Sequence, residues 1–390
     1  MKILFYRYNS ICEPAFIKHF TDAGVTVVEE TLEMTNKSAT GAELIERVSK
    51  TLSEDNFVFV MSINFFPTLS AVCNIFKIPY ISIIVDCPIW ELYSKEVRNP
   101  VNRIFVFDKI QYKRIKDFNP DCIFHLPLCA DIETFGNAIG RADEKTKNRF
   151  SADISFIGSL YTEKCAYNNI TTFSPYIKGF VDGLIKAFTG LFGYNSIYEA
   201  LNDDVAKRIA TEAGLEPLPE NYNQDLKAIV ADNIIGIKIS EQDRLLVLKE
   251  LSETYGYNID LYTGSDTSML PKVHNRGLAK SLTEMPVIFN RSKINLNITT
   301  KTIQTGISQR VFDVLACHGF LISNYQEELF EFFTPGKDLE TFSSIPELAD
   351  KISYYLSHEN ERLAIANSGY ETVTKLHSVD VRLNQILSFI

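Results

Sequence analysis

Short apolar runs alternate with amphipathic stretches along most of this chain. Residues 2–7 (KILFYR) predict a first strand, followed by the polar trio Tyr8, Asn9 and Ser10 and a helix over 12–23. Gly24 precedes a strand at 25–28, and a helix at 42–52 leads to the apolar run 57–61. Pro67 opens another helix, and strands are predicted at 80–85, 103–107 and 122–126. Strands that alternate with helices in this way indicate an α/β fold with a doubly wound parallel sheet. Residues 131–152 are polar and show no clear period, so they form a candidate linker. A new strand at 153–157 ends at Gly158 and Ser159. Residues 172–235 are predicted largely helical, with a break at 217–219 and an apolar stripe of Phe180, Leu184, Phe188, Leu191 and Phe192. A helix over 244–255, a strand over 258–262 running into Thr263 and Gly264, and an apolar run at 285–289 follow. Beyond Tyr325 the pattern predicts a short helix at 327–333, a turn at 336–338, and helices at 347–356, 359–376 and 379–390.

The most informative stretch lies at 294–325. Ile294-Asn295-Leu296-Asn297-Ile298 alternates apolar and polar, as a strand does. Val311, Phe312, Val314, Leu315 and Ala316 are apolar at helical spacing; Gly319 is placed to stop that helix, and 320–323 predict the next strand. The unit is a strand–loop–helix–strand crossover of a parallel sheet. Ligands of such sheets sit outside the carboxyl ends of strands and at helix N-termini, where Thr305, Gly306 and Ser308 fall. Gly306 permits close approach of backbone to a ligand. Arg310 offers a planar fork matched to phosphate oxygens. Asp313 lies near the helix start, within reach of ribose hydroxyls. The same residues fit equally a helix N-terminus that binds nothing.

Length and composition narrow the class. At 390 residues the chain is long for one core, so two domains are expected. Hydrophobic content of 45% and charged content of 23% are those of a soluble globular protein. A formal net charge of −10 speaks against a nucleic-acid-binding surface. No apolar run approaches the roughly 20 residues of a membrane-spanning helix, and no signal-peptide pattern follows Met1. Seven cysteines, at 12, 73, 87, 122, 129, 165 and 317, are scattered without a C-x-x-C pair. They predict reduced thiols in a cytoplasmic protein rather than zinc ligands or disulfides. No G-x-G-x-x-G follows the first strand, which argues against a dinucleotide cofactor.

Polar groups also follow strand ends in the amino-terminal half: Tyr8 and Asn9, Ser62 and Asn64, Asp86, and Asp108. Asp86 and Asp108 fit either helix N-caps or carboxylates facing a cleft. Lys164, shortly after Gly158, fits either a surface lysine or a phosphate contact. Asp203 and Asp204 fit a solvated helix face.

Three segments carry a family resemblance: 292–299 (SKINLNIT), 305–325 (TGISQRVFDVLACHGFLISNY), and 354–362 together with Gly369. They resemble the nucleotide-sugar site of GT-B glycosyltransferases, and more narrowly the bacterial CgeB-like group, whose carboxyl half is a group 1 glycosyl transferase module. Segments 62–67, 84–88, 105–108 and 125–128 resemble the DUF3880 domain that often forms the amino half. The resemblance implies two Rossmann-like domains: residues 1–130 for the acceptor and 153–378 for the donor, with a helical insertion at about 172–235. It further implies that helix 379–390 packs back on the first domain. The implied reaction transfers a sugar from a nucleoside diphosphate sugar to an acceptor hydroxyl, with retention of configuration and without metal or other cofactor. The acceptor classes it implies are a glycan, a glycoprotein or a small molecule. Implied donor contacts are Gly158, Lys164, Tyr262, Gly264, Asn297, Thr299, Thr305, Gly306, Arg310 and Asp313. Tyr8, Asn9, Asn64 and Asp86 fall on the acceptor side, with Asp86 the candidate base of an inverting reaction, which a retaining one does not require, and Arg310 a stabiliser of the leaving group. Related enzymes carry two glutamates seven residues apart; here these positions hold Thr305 and Asp313, so only the second is a carboxylate. A two-domain binding protein without turnover and a GT-B-type nucleotide-sugar epimerase are the alternative readings.

Overall fold

A computed structural model describes residues 1–193, 195–216, 218–223 and 225–389. Pro217, within the expected break, and Ile390, at the end of the expected last helix, lie outside the described residues. Two compact units appear: one comprises residues 1–129, 218–223 and 378–389, the other residues 130–216 and 225–377.

The first unit holds strands β1 (Lys2–Tyr6), β2 (Thr26–Glu30), β3 (Val60–Ile63), β4 (Tyr80–Ile83), β5 (Asn102–Val106) and β6 (Ile123–His125). They form one parallel sheet in the order β2-β1-β3-β4-β5-β6. The order reverses between β1 and β3. Its strands are buried on both faces: Leu4, Tyr6 and Val60 join one apolar cluster, and Ile3, Phe5 and Met61 the other. Helix Val379–Leu387 belongs to this unit, where Val379, Leu383 and Ile386 enter the cluster of Ile3, Phe16 and Phe20. Segment 218–223 also belongs here: Asn223 N–H donates to the Tyr93 carbonyl at 2.7 Å. No periodicity announces that crossing, because it depends on a single short extended strip.

The second unit holds β7 (Ala152–Ile157), β8 (Ile259–Tyr262), β9 (His274–Asn275), β10 (Ser292–Asn297), β11 (Leu321–Asn324) and β12 (Glu340–Phe342), again all parallel. Their order is β12-β11-β10-β7-β8-β9, with the reversal between β7 and β10. β9 and β12 are edge strands of two and three residues, too short to leave a sequence pattern. The expected linker is largely helical. Helices Ile132–Arg141 and Glu144–Arg149 start at the caps Asp131 and Asp143, which accept the Thr134 and Thr146 N–H groups. Only Phe135 of these helices is buried, which explains the missing period.

The expected insertion contains helices Pro175–Phe188, Asp203–Glu212 and Leu226–Ile229. The last continues through the wide π-helical turns Val230–Gly236 into Ile237–Lys249. The stripe is shifted by one position from the expected one. Ile177, Val181 and Ile185 are the buried row, Phe180, Leu184 and Phe188 flank it, and Leu191 is exposed. Phenylalanines at the cluster margin mimic the core row in sequence. Among the described residues no helix is long and apolar enough to cross a membrane, and all seven cysteines are free thiols.

Helix Glu359–His377 lies against helix Gln309–Ala316. A Cβ on Gly369 would come 2.2 Å from the Asp338 carbonyl oxygen and 2.8 Å from Leu315 Cδ2. Alanine is favoured over glycine in a helix by about 1 kcal/mol, but such overlap costs more. Gly369→Ala is therefore expected to destabilise the protein by roughly 1–3 kcal/mol in urea unfolding. Gly136→Ala, in helix Ile132–Arg141 with nothing within 4 Å of its Cβ, is expected to stabilise by about 0.5–1 kcal/mol.

Candidate functional site

Each sheet has one strand-order reversal, where neighbouring connections leave in opposite directions and open a crevice at the carboxyl ends. In the first unit this lies between β1 and β3. Tyr8 and Asn64 follow those strands, and Asp86 follows β4. Asn64 has a left-handed backbone (φ 58°) and is 8% exposed. Its Nδ2 donates to Tyr8 Oη at 2.8 Å and to Asp86 Oδ2 at 2.7 Å. Its Oδ1 accepts the Val85 N–H at 3.0 Å. One amide thus holds three strand ends together and orients the exposed Asp86 carboxylate. Burial pushes the Tyr8 phenol up, keeping it neutral. Asn9 is exposed with φ 78° and stands outside this network. Asp108 is an N-cap: its Oδ1 accepts the Gln111 N–H at 2.8 Å.

In the second unit the reversal lies between β7 and β10, so Gly158, Asn297 and Thr299 flank it. Gly158 N–H donates to the Tyr262 carbonyl at 3.1 Å, continuing the β7–β8 ladder. Asn297 is 5% exposed and donates to Thr299 Oγ1 at 3.1 Å and to Ser323 Oγ at 2.9 Å. The Thr299 N–H reaches Asn324 Oδ1 at 2.7 Å. The loop beyond is pinned by the turn after β11: Gln326 donates to the Ile303 carbonyl at 3.3 Å, and Thr305 Oγ1 to the buried Glu328 at 2.7 Å. Thr305 therefore meets a carboxylate contributed by a distant segment. Gly306 is buried in the same loop.

Helix Gln309–Ala316 follows. Ser308 at its N-cap makes no capping bond; its hydroxyl lies 3.5 Å from Asn297 Oδ1. Arg310 Nη1 lies 3.3 Å from Asp313 Oδ2, one turn along, and Gln309 donates to the other oxygen at 2.9 Å. The Arg310 guanidinium also stands over the Phe289 ring, 5.2 Å from its centroid. Burial pushes the Asp313 carboxyl up and the Arg310 guanidinium down, and each opposes the other's shift as an ion-pair partner. The left-handed residue after the helix is His318 (φ 53°), not Gly319. Gly319 is required by space: a Cβ there would come 2.9 Å from both Asn295 Nδ2 and the Phe289 carbonyl oxygen.

Tyr262 is 4% exposed and lines a cavity of about 280 Å³ with Arg149, Asn275, Arg276 and Glu284. Its hydroxyl is buried without a partner among the described residues, and burial, reinforced by Asp260, pushes it up to about 12. Gly264 lies under Leu278, 3.2 Å from where a Cβ would stand. Lys164 is exposed on the loop after β7.

Arg244, on helix Ile237–Lys249, is the residue that sequence reasoning missed. Its guanidinium bridges the two strand ends at the reversal, donating to the Ser159 carbonyl and twice to the Ile298 carbonyl, at 3.2 and 2.7 Å. A lone cation followed by Leu245 and Leu246 was the available signal. Lys301 is tied instead to the Leu191 carbonyl and, at 3.3 Å, to Asp243.

Asn64→Ala would strand the Val85 N–H and release Asp86 while keeping a left-handed backbone. It is expected to cost about 2–4 kcal/mol in chemical unfolding. Asn64→Gly, which relieves the backbone strain alone, is expected to lose about 1 kcal/mol less.

Residues 244–388 match the family model for glycosyl transferase-like domains. No curated protein matches the sequence. Among solved structures, HepE from Anabaena in complex with UDP-glucose aligns over 100% of this chain and 98% of its own, at 10% identity and a TM-score of 0.53. Sucrose-phosphate synthase from Thermosynechococcus elongatus aligns over 100% and 98%, at 8% identity and a TM-score of 0.53. A glycosyltransferase from Rickettsia africae ESF-5 aligns over 99% and 97%, at 11% identity and a TM-score of 0.51. Two parallel six-stranded sheets and these likenesses make the fold of this chain GT-B, with a glycosyl transferase-like segment over its carboxyl-terminal part.

Proposed function

We propose that the chain is a glycosyltransferase that moves a sugar from a nucleoside diphosphate sugar to an acceptor hydroxyl. The observation that carries this reading is the glycosyl transferase-like match over 244–388, which contains the whole loop and helix beyond β10. The donor is assigned to the second unit and the acceptor to the first. The bond between the anomeric carbon and the β-phosphate oxygen breaks, and its electron pair leaves with the phosphate. The acceptor oxygen bonds to that carbon and loses its proton. Asp86, exposed and oriented by Asn64, is assigned to the acceptor side, and it is the base only if the reaction inverts. Asp313 is assigned to the ribose, while Gly158, Lys164, Tyr262, Gly264, Asn297, Thr299, Thr305, Gly306 and Arg310 complete the assigned donor side. Fixed donors rather than a metal neutralise the diphosphate in this reading, and the group 1 resemblance favours retention. The finer assignment is a cytoplasmic member of the CgeB-like, DUF3880-containing group acting in bacterial glycan or glycoprotein synthesis.

Calorimetric titration with UDP, GDP, dTDP and CMP tests the donor assignment. One nucleoside diphosphate is expected to bind, and Asp313→Ala to weaken it at least about tenfold, as loss of one hydrogen-bonded charge does. Binding by none of the four would overturn the reading. With the matching sugar donor, product formed without acceptor would indicate an epimerase, and binding without any turnover a binding protein.

A further inference from the structure

We propose that Arg244 is the cation that binds the diphosphate of the donor, an inference that rests on the nucleotide-sugar reading above. Of the cations in the second unit near the strand ends, Arg310 is paired with Asp313 and Lys301 with Asp243. Lys164 is exposed on a flexible stem. Arg244 differs from all three. Its hydrogen-bond partners are the carbonyl oxygens of Ser159 and Ile298, and among the described residues no carboxylate forms an ion pair with it, although its charge also acts on Asp243, which Lys301 already pairs. Those carbonyls follow β7 and β10, the two strands between which the sheet order reverses. The guanidinium is therefore fixed across the crevice where parallel sheets take their ligands.

Its posture is also predetermined. The Tyr161 ring centroid lies 4.5 Å from the guanidinium carbon and that of Phe156 lies 5.5 Å away. A guanidinium carries five N–H donors. Three are spent on carbonyls, which leaves one on Nη1 and one on Nη2, a pair suited to two oxygens of one phosphate. Gly158 adjoins it: a Cβ there would stand 3.6 Å from Nη1, so glycine keeps the approach open. Charge that develops on the departing diphosphate would meet a cation needing no reorganisation.

The test compares each nucleoside diphosphate (UDP, GDP, dTDP) with its own monophosphate by calorimetry at constant ionic strength. For the nucleotide that binds wild type, Arg244→Gln is expected to lose roughly 10–100-fold in diphosphate affinity, the range for a charged hydrogen-bonded contact. Monophosphate affinity is expected to change less than about threefold, and Arg244→Lys to fall between wild type and Gln. A purely structural arginine would weaken both nucleotides by the same factor, which would overturn the proposal. Should the Arg244 variants not fold, Tyr161→Asn serves instead. Tyr161 has φ 66°, a conformation that asparagine tolerates, and the substitution removes only the stacked ring. It is expected to lower the diphosphate-to-monophosphate preference about threefold, as loss of a cation–π contact would, and an unchanged preference would again overturn the proposal. If wild type binds none of these nucleotides, the donor reading itself fails and takes this inference with it; if it binds them with Arg244-independent preference, only the inference fails.

Discussion

The second unit depends on satisfying polar groups buried in the middle of its sheet. β10 lies between β7 and β11 and is covered on both faces, yet it carries Asn295 and Asn297. An unpaired amide there would cost about 1–3 kcal/mol. Asn295 avoids this by accepting from Ser155 Oγ at 2.9 Å and donating to the Phe289 carbonyl at 3.0 Å. These bonds tie two strands to helix Met285–Arg291, and the space they need excludes any side chain at Gly319. Asn297 extends the arrangement to Ser323 and Thr299, and so to the loop that follows β10. Core and candidate site are thus one hydrogen-bonded system.

The charged groups of that unit divide by what they face. Lys301 and Asp243 are both buried, and breaking such a pair leaves an uncompensated charge. Their pairing anchors the loop after β10 to helix Ile237–Lys249 and to the Leu191 carbonyl. Arg310 and Asp313 lock one helical turn in the same manner. Arg244 alone of these directs all its hydrogen bonds to carbonyls, which hold it without an ion-paired carboxylate. In the first unit the corresponding economy is made by Asn64, a neutral amide that supplies both donors and an acceptor while leaving the Asp86 carboxylate exposed.

Legibility followed the range of the interaction. The strand at 153–157 and the helix after Ser308 were readable because apolar spacing is local. The alternation in 294–298 was readable as a strand, but that both its faces are buried and the polar one bonded internally was not. The helices at 132–149 were hidden because they bury almost nothing. Arg244 was hidden because its meaning comes from carbonyls 85 and 54 positions away.

By itself, the sequence determined the α/β class, most of the strands and helices outside residues 131–152 and the short edge strands, and the polar loops at strand ends, because periodicity and turn chemistry act over a few residues. Only the tertiary structure decided which polar groups meet. Asn64 reaches Tyr8 across 56 positions and Ser155 reaches Asn295 across 140, and neither pairing has a spacing that a sequence could display. The physical reason is that a buried polar group must find a partner wherever the folded chain supplies one, and that choice is made by strand order, not by neighbours in sequence.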